Sequence, residues 1–85
     1  MSTIPDIQYA QQLLDILNDD RRRMQQDPTH APVVLWMVEE LRAAASRLTL
    51  DRPTSQSMLT AAAEAYRDAT ETRRRQRRSK RRRAA

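Results

Sequence analysis

Pro32-Val33-Val34-Leu35-Trp36-Met37-Val38-Glu39-Glu40-Leu41 is the stretch on which the fold turns. Residues 33–38 are apolar without a break and partly β-branched, so by propensity alone they suit a strand. A wider window, 32–48, reads differently. Val34, Met37 or Val38, Leu41, Ala44 or Ala45 and Leu48 recur at steps of three and four, the helical period. Glu39, Glu40, Arg42, Ser46 and Arg47 occupy the other faces, and Trp36 falls beside the stripe. Pro32 suits a first helical turn, where its missing N–H costs nothing. The window predicts a helix over 32–48, with a strand over 33–38 as its rival.

The flanking segments are helical by the same test. From about Pro5 to Gln26, Ile7, Ala10, Leu14, Leu17 and Met24 repeat at steps of three, four and seven, and Leu13 and Ile16 widen the stripe. Thr3 is a candidate N-cap, and Asp6 suits the positive end of the helix dipole. Arg21, Arg22 and Arg23 lie near the C-terminal end, where cations are favoured. Asp27-Pro28 stops this helix. A third begins at Pro53, with Asp51 or a neighbour as its cap, and Leu59, Ala62, Tyr66 and Ala69 form its stripe. The next member of that series is Arg73, so the apolar face should end where a basic block begins. The expected fold class is all-α, with three helices over about 5–26, 32–48 and 53–72 or beyond.

The chain has 85 residues, enough for one small domain. Leu, Ile and Val number 14 and Phe is absent, so bulky core residues are scarce. Twelve alanines favour helix but fill little volume. Such a core leaves a lone chain marginal. A homodimer that pools two apolar faces answers this, with Leu14, Leu17, Val34, Trp36, Met37, Leu41, Leu48, Leu59 and Tyr66 as core or dimer anchors. There is no Cys, hence no disulfide and no thiolate metal site. There is no Gly, hence no phosphate-binding Gly-rich loop. His30 is the only histidine, too few for a zinc site or a nucleophile–base pair. Asp19-Asp20 and Glu39-Glu40 are adjacent pairs that diverge on a helix, so they read as solvated faces rather than acid/base couples. We expect no enzyme, no cofactor and no metal. No run approaches the roughly 18 apolar residues of a membrane span. Met1-Ser2-Thr3-Ile4-Pro5-Asp6 lacks the basic and apolar regions of a secretory signal. The expectation is an intracellular protein without a membrane partner, cytoplasmic, or nuclear in a eukaryotic cell.

Charge divides the chain more sharply than its formal net of +5 suggests. Residues 73–83 read Arg73-Arg74-Arg75-Gln76-Arg77-Arg78-Ser79-Lys80-Arg81-Arg82-Arg83, nine cations in eleven positions. Residues 1–72 hold seven cations and all 11 acids, a net of −4. The organisation expected is an acidic dimerising body, 1–72, and a nucleic-acid-binding tail, 73–85. The tail has no apolar face. It should be disordered alone and lengthen the third helix when its charge is neutralised. Arg outnumbers Lys 15 to 1 in the chain. Arg presents a planar fork that binds phosphate bidentately and stacks on bases, whereas Lys supplies a point charge. The candidate contacts are Arg73, Arg74, Arg75, Arg77, Arg78, Lys80, Arg81, Arg82 and Arg83. Arg42, Arg47, Arg52 and Arg67 in the body are candidates for further phosphate contacts.

Glu71-Thr72-Arg73-Arg74-Arg75-Gln76-Arg77-Arg78-Ser79-Lys80-Arg81-Arg82-Arg83 resembles the arginine-rich RNA-binding motifs of the phage lambda N and lentiviral Tat and Rev type. That resemblance implies a segment that folds in an RNA groove, with Arg73, Arg74, Arg75, Arg77 and Arg78 on the backbone. The tail lacks the stacking aromatic of the lambda type. In the body, Ala31-Pro32, Leu41 and Met58-Leu59-Thr60 resemble the nodavirus RNA-silencing suppressors, which implies an all-helical dimer lying along double-stranded RNA. A rival resemblance, over 32–66, is to ribbon–helix–helix DNA-binding proteins. It rests on residues 33–38 as the strand, Glu39-Glu40-Leu41 as the first helix and Thr54-Ser55-Gln56-Ser57-Met58-Leu59 as the start of the second. It would put Val34 and Trp36 on the DNA, where base readout uses hydrogen-bonding side chains. Nucleic acid is the expected partner, RNA before DNA. A-form duplexes are recognised by backbone and shape, which an arginine-bearing helical dimer can contact. Two alternatives stand beside it: a ribbon–helix–helix transcriptional regulator, and a protein-interaction module whose tail is a nuclear-localisation-like segment.

Overall fold

The computed structural model describes the backbone of residues 6–48 and 52–84, and the side chains of 6–48 and 52–78. Helix α1 spans Asp6–Gln26, a 3₁₀ turn spans Pro28–His30, α2 spans Ala31–Ser46 and α3 spans Arg52–Ala84. No strand occurs among the described residues. Helix α2 packs on both α1 and α3, and α1 and α3 meet along a shorter seam.

Helix α1 buries Ala10, Leu13, Leu17, Asp20 and Met24, spaced by threes and fours. Leu14 is half-buried and packs on the core from its edge. Asp6 in the first turn and Arg23 in the last match the dipole. Asp27 then makes the corner. Its backbone is extended, and its carboxylate accepts from the Thr29 N–H at 3.1 Å and the Thr29 hydroxyl at 2.6 Å. Those two bonds hold the Asp27 carboxyl below its ordinary value of 3.8, the hydroxyl contributing most. Pro28 starts the 3₁₀ turn, and α2 follows at once.

The segment 33–38 is helix. Placed in α2, it buries Val34, Met37 and Val38 in line with Ala31, Leu41, Ala44 and Ala45. A strand would instead divide these apolar side chains between two faces. It would also leave a ladder of backbone groups without a partner strand in this chain. Helix formation satisfies the backbone locally and gathers one continuous apolar face. The strand that a ribbon–helix–helix arrangement requires is therefore not formed here. Helix α2 ends at Ser46 rather than 48. The Arg47 and Leu48 N–H groups donate to the Ala44 and Ala45 carbonyls at 3.1 Å each, and Leu48 remains buried. The Ser55 hydroxyl of α3 also donates to the Ala45 carbonyl, at 2.9 Å, stitching the end of α2 to the start of α3. The candidate caps Thr3 and Asp51 lie outside the described residues.

Helix α3 differs from expectation in its rotation. Its buried stripe is Met58, Ala62, Ala65 and Ala69, not the series that includes Leu59 and Tyr66. Leu59 and Tyr66 are 40% and 47% exposed. The helix is turned so that alanines meet α2, and small side chains let the two axes approach closely. Its length falls within the expected 53–72 or beyond: the helix passes through 72 and 73 without a break and continues to Ala84. No Gly occurs in the chain and no Pro follows Pro53, and Arg is among the better helix formers. At 33 residues α3 is roughly 50 Å long. It sets the long axis of a molecule measuring 56 × 25 × 15 Å.

The core is small but dense in α2. Leu17, Val34, Val38 and Leu41 are its largest fully buried side chains. Each stabilises the fold by about 1.5–3 kcal/mol. Trp36, expected in the core or at a dimer contact, does not enter this core and is 61% exposed.

Candidate nucleic-acid interface

The candidate interface lies on α3, because one helix carries both the packed alanines and the arginines. Beyond Ala69, no further residue of α3 is fully buried among those described. Arg73, Arg74, Arg75, Arg77 and Arg78 are all exposed. Their positions on a rigid helix spread them around its circumference. Thr70, Arg73, Arg74 and Arg77 stand at i, i+3, i+4 and i+7, so they share one face and enclose a shallow hollow of about 190 Å³. Three guanidinium groups around one hollow concentrate positive charge there. Lys80, Arg81, Arg82 and Arg83 extend the helical backbone, and their side chains lie outside the described residues.

The body arginines fall on two sides. Arg52, Leu59, Tyr66 and Arg73 recur every seven residues and so run down one exposed line of α3. Arg42 of α2 joins this line, its guanidinium 5.4 Å from the centroid of the Tyr66 ring. That distance suits a cation–π contact, and among the described residues no hydrogen bond or ion pair uses the Arg42 donors. Arg67 shares a face with Arg74, seven residues on. Arg47 lies elsewhere, on the α2 face that carries Trp36. All four body arginines are exposed, and among the described residues none forms an ion pair with Glu39, Glu40 or Glu64. Asp68, a candidate partner for them, is instead hydrogen-bonded to Arg21 of α1.

The acids of α1 also depart from the sequence reading. Asp19 is exposed and lies 3.6 Å from Arg22. Asp20 is not a solvated residue: it is buried, and its Oδ1 lies 2.9 Å from Nε2 of His30. The lone histidine therefore has a structural task, tying the 3₁₀ turn back to the last turns of α1. Among the described residues no three metal-ligating groups come together, and no helix is long and apolar enough to cross a membrane.

A groove of about 390 Å³ that the sequence did not suggest opens where the end of α1 meets α3, lined by Met24, Gln25, Pro28, Thr72, Arg75 and Gln76. Thr72 and Gln76 continue the stripe of Ala62, Ala65 and Ala69 at helical steps, and both are half-buried. The signal is a polar continuation of a packed stripe, and the rival series through Arg73 hides it. Set against protein-family models, curated proteins and solved structures, the chain matches none.

Proposed function

We propose that this protein is a non-enzymatic RNA-binding protein that grips duplex RNA through backbone and shape contacts made by the arginine-bearing half of α3. The observation that carries this reading is the continuity of α3. One helix is anchored in the body by Ala62, Ala65 and Ala69, and it then presents Arg73, Arg74 and Arg77 around a single hollow. A helix fixed at one end holds its guanidinium groups in register with one another. An A-form duplex offers phosphates and 2′-hydroxyls across a wide, shallow minor groove, and it is recognised by that shape. The working unit is a homodimer. Supporting this are Tyr9, Ile16, Val33, Trp36, Leu59 and Tyr66, large apolar side chains that a single chain leaves exposed. Coating duplex RNA would deny it to other readers of the same surface, which is how a viral RNA-silencing suppressor acts.

Fluorescence anisotropy of the full chain tests this, with duplex RNA, duplex DNA and single-stranded RNA of matched length over several salt concentrations. Tightest binding to duplex RNA supports the reading. Equal binding to all three with one steep salt slope reduces α3 to a general polyanion arm. The exposure of Trp36 favours a second reading, a protein-interaction module. Under that reading, replacing Arg73, Arg74 and Arg77 with Gln leaves the cellular effect intact and replacing Trp36 with Ala removes it.

A further inference from the structure

We infer that the groove between the end of α1 and α3 is a pocket for an unpaired nucleobase. The inference rests on the RNA-binding reading and adds to it a structural feature that the protein would select. Four observations point this way. The first is the wall chemistry. Met24 and Pro28 supply apolar surface, and a thioether and a pyrrolidine ring both pack well against a flat aromatic ring. The second is the polar set. Gln25 and Gln76 each carry a carboxamide with donors and an acceptor, which matches the mixed edges of a base. Among the described residues no side-chain hydrogen bond uses either carboxamide, and no ion pair uses Arg75.

The third observation is charge. The adjoining part of the same seam is lined by Asp68 and Glu71 together with Arg75. Asp68 is paired with Arg21, so Glu71 and Arg75 are the unpaired charges there, one of each sign, and the groove has no excess of positive charge to hold a phosphate, which a neutral ring does not need. The exposed cluster of Arg73, Arg74 and Arg77, with no acid in its lining, is the better anion site. Phosphate and base would therefore be received by different faces of the same helix. The fourth is position. Thr72 and Gln76 stand on the packing stripe of α3, where a bundle would ordinarily carry apolar residues, and α1 ends before it can cover them. The Thr72 hydroxyl donates to the Asp68 carbonyl at 2.8 Å, which leaves the two carboxamides and the Arg75 guanidinium as the groove's unpaired polar groups. Single-stranded loops and bulges are where RNA exposes bases to proteins.

The experiment uses the full chain and two RNA duplexes that differ by one unpaired nucleotide at the centre of one strand. That nucleotide carries the fluorescent analogue 2-aminopurine. Wild type should bind the bulged duplex about tenfold more tightly than the blunt one. Its 2-aminopurine emission should change on binding. The double variant Gln25→Ala/Gln76→Ala alters one exposed and one half-buried residue and none of the core. It should bind both duplexes equally, at the wild-type affinity for the blunt one, and lose the emission change. Equal binding of both duplexes by wild type overturns the base pocket and leaves the duplex-binding reading in place. A bulge preference that survives in the double variant also overturns it. Binding of neither duplex overturns both readings together.

Discussion

The two halves of α3 belong to one unbroken helix and are held helical by different forces. In the first half, Met58, Ala62, Ala65 and Ala69 are buried against the other helices, and tertiary packing supplies the stability. In the second, from Thr70 onward, no described residue is fully buried, and intrinsic propensity and continuity with the anchored half must suffice. Repulsion among like charges works against that second half. An anion laid along it would relieve the repulsion, so binding RNA and stabilising the helix should be one event. The contrast separates the part of the chain held helical by packing from the part held by propensity and continuity.

The most damaging change to the first half is Leu41→Ala. Leu41 is fully buried in α2. Its truncation should cost about 2–5 kcal/mol, a large share of the stability of so small a domain. Urea denaturation followed by circular dichroism reads this directly. A cost below about 1 kcal/mol would mean the core is looser than its burial implies. Breaking the second half needs a backbone change. Arg74→Pro and Arg74→Gln remove the same charge, but only the proline interrupts the helix, at about 3 kcal/mol. The proline variant should lose far more affinity for duplex RNA than the glutamine variant while the urea midpoint of the body stays close to wild type. Equal losses would show that the arginines act as loose charges and that helical register is irrelevant.

A gentler probe sharpens the same contrast. Replacing Arg73, Arg74 and Arg77 with Gln should lower the slope of log affinity against log salt by about 0.9 for each phosphate that is no longer neutralised. An unchanged slope would place the phosphate-binding groups elsewhere on α3. Trp36→Ala tests the body's exposed face. With 61% of Trp36 exposed, the substitution should change monomer stability by less than about 0.5 kcal/mol. Sedimentation should nevertheless show a weaker dimer if that face is the dimer interface. The smallest effect belongs to the corner between α1 and α2. Thr29 holds the Asp27 carboxyl below its ordinary value. A lowered folded-state value means the ionised form is favoured on folding. The contribution is present above the unfolded value and fades as pH falls through the folded one. Thr29→Val removes the hydroxyl bond, so the variant should be less stable than wild type above about pH 4, and the gap should shrink as pH falls below that.

Much of this architecture is legible in the order of residues. The three helical segments, the punctuation by Pro28, Pro32 and Pro53, and the separation of an acidic body from a basic block follow from spacing and charge. Spacing and the Asp27-Pro28 stop place the end of helix α1 at Gln26, where it is observed, because its apolar positions are bulky and repeat cleanly. Spacing also finds α3 but mis-rotates it. Its stripe is made of alanines, and with alanines at 61, 62, 63, 65 and 69 several faces look equally apolar. Leu59 and Tyr66 stand out by size, yet it is the small residues that let α3 lie close to α2. The groove residues Thr72 and Gln76 escape notice through that same error of rotation.

What the amino-acid order determined by itself was local: helical period, helix stops, the absence of Gly and Cys, and a concentration of arginine at one end. What only the tertiary structure decided was which face of each helix is inside. The segment 33–38 has side chains compatible with strand or helix, and it is helix because α1 and α3 supply a surface for one continuous face, while no strand partner is present among the described residues. Asp20 looks like half of a solvated pair and is buried because the turn returns His30 to within 2.9 Å of it. Burial is a property of neighbours. Propensity and period constrain a residue's backbone, and they leave its surroundings to whatever distant segment packs there.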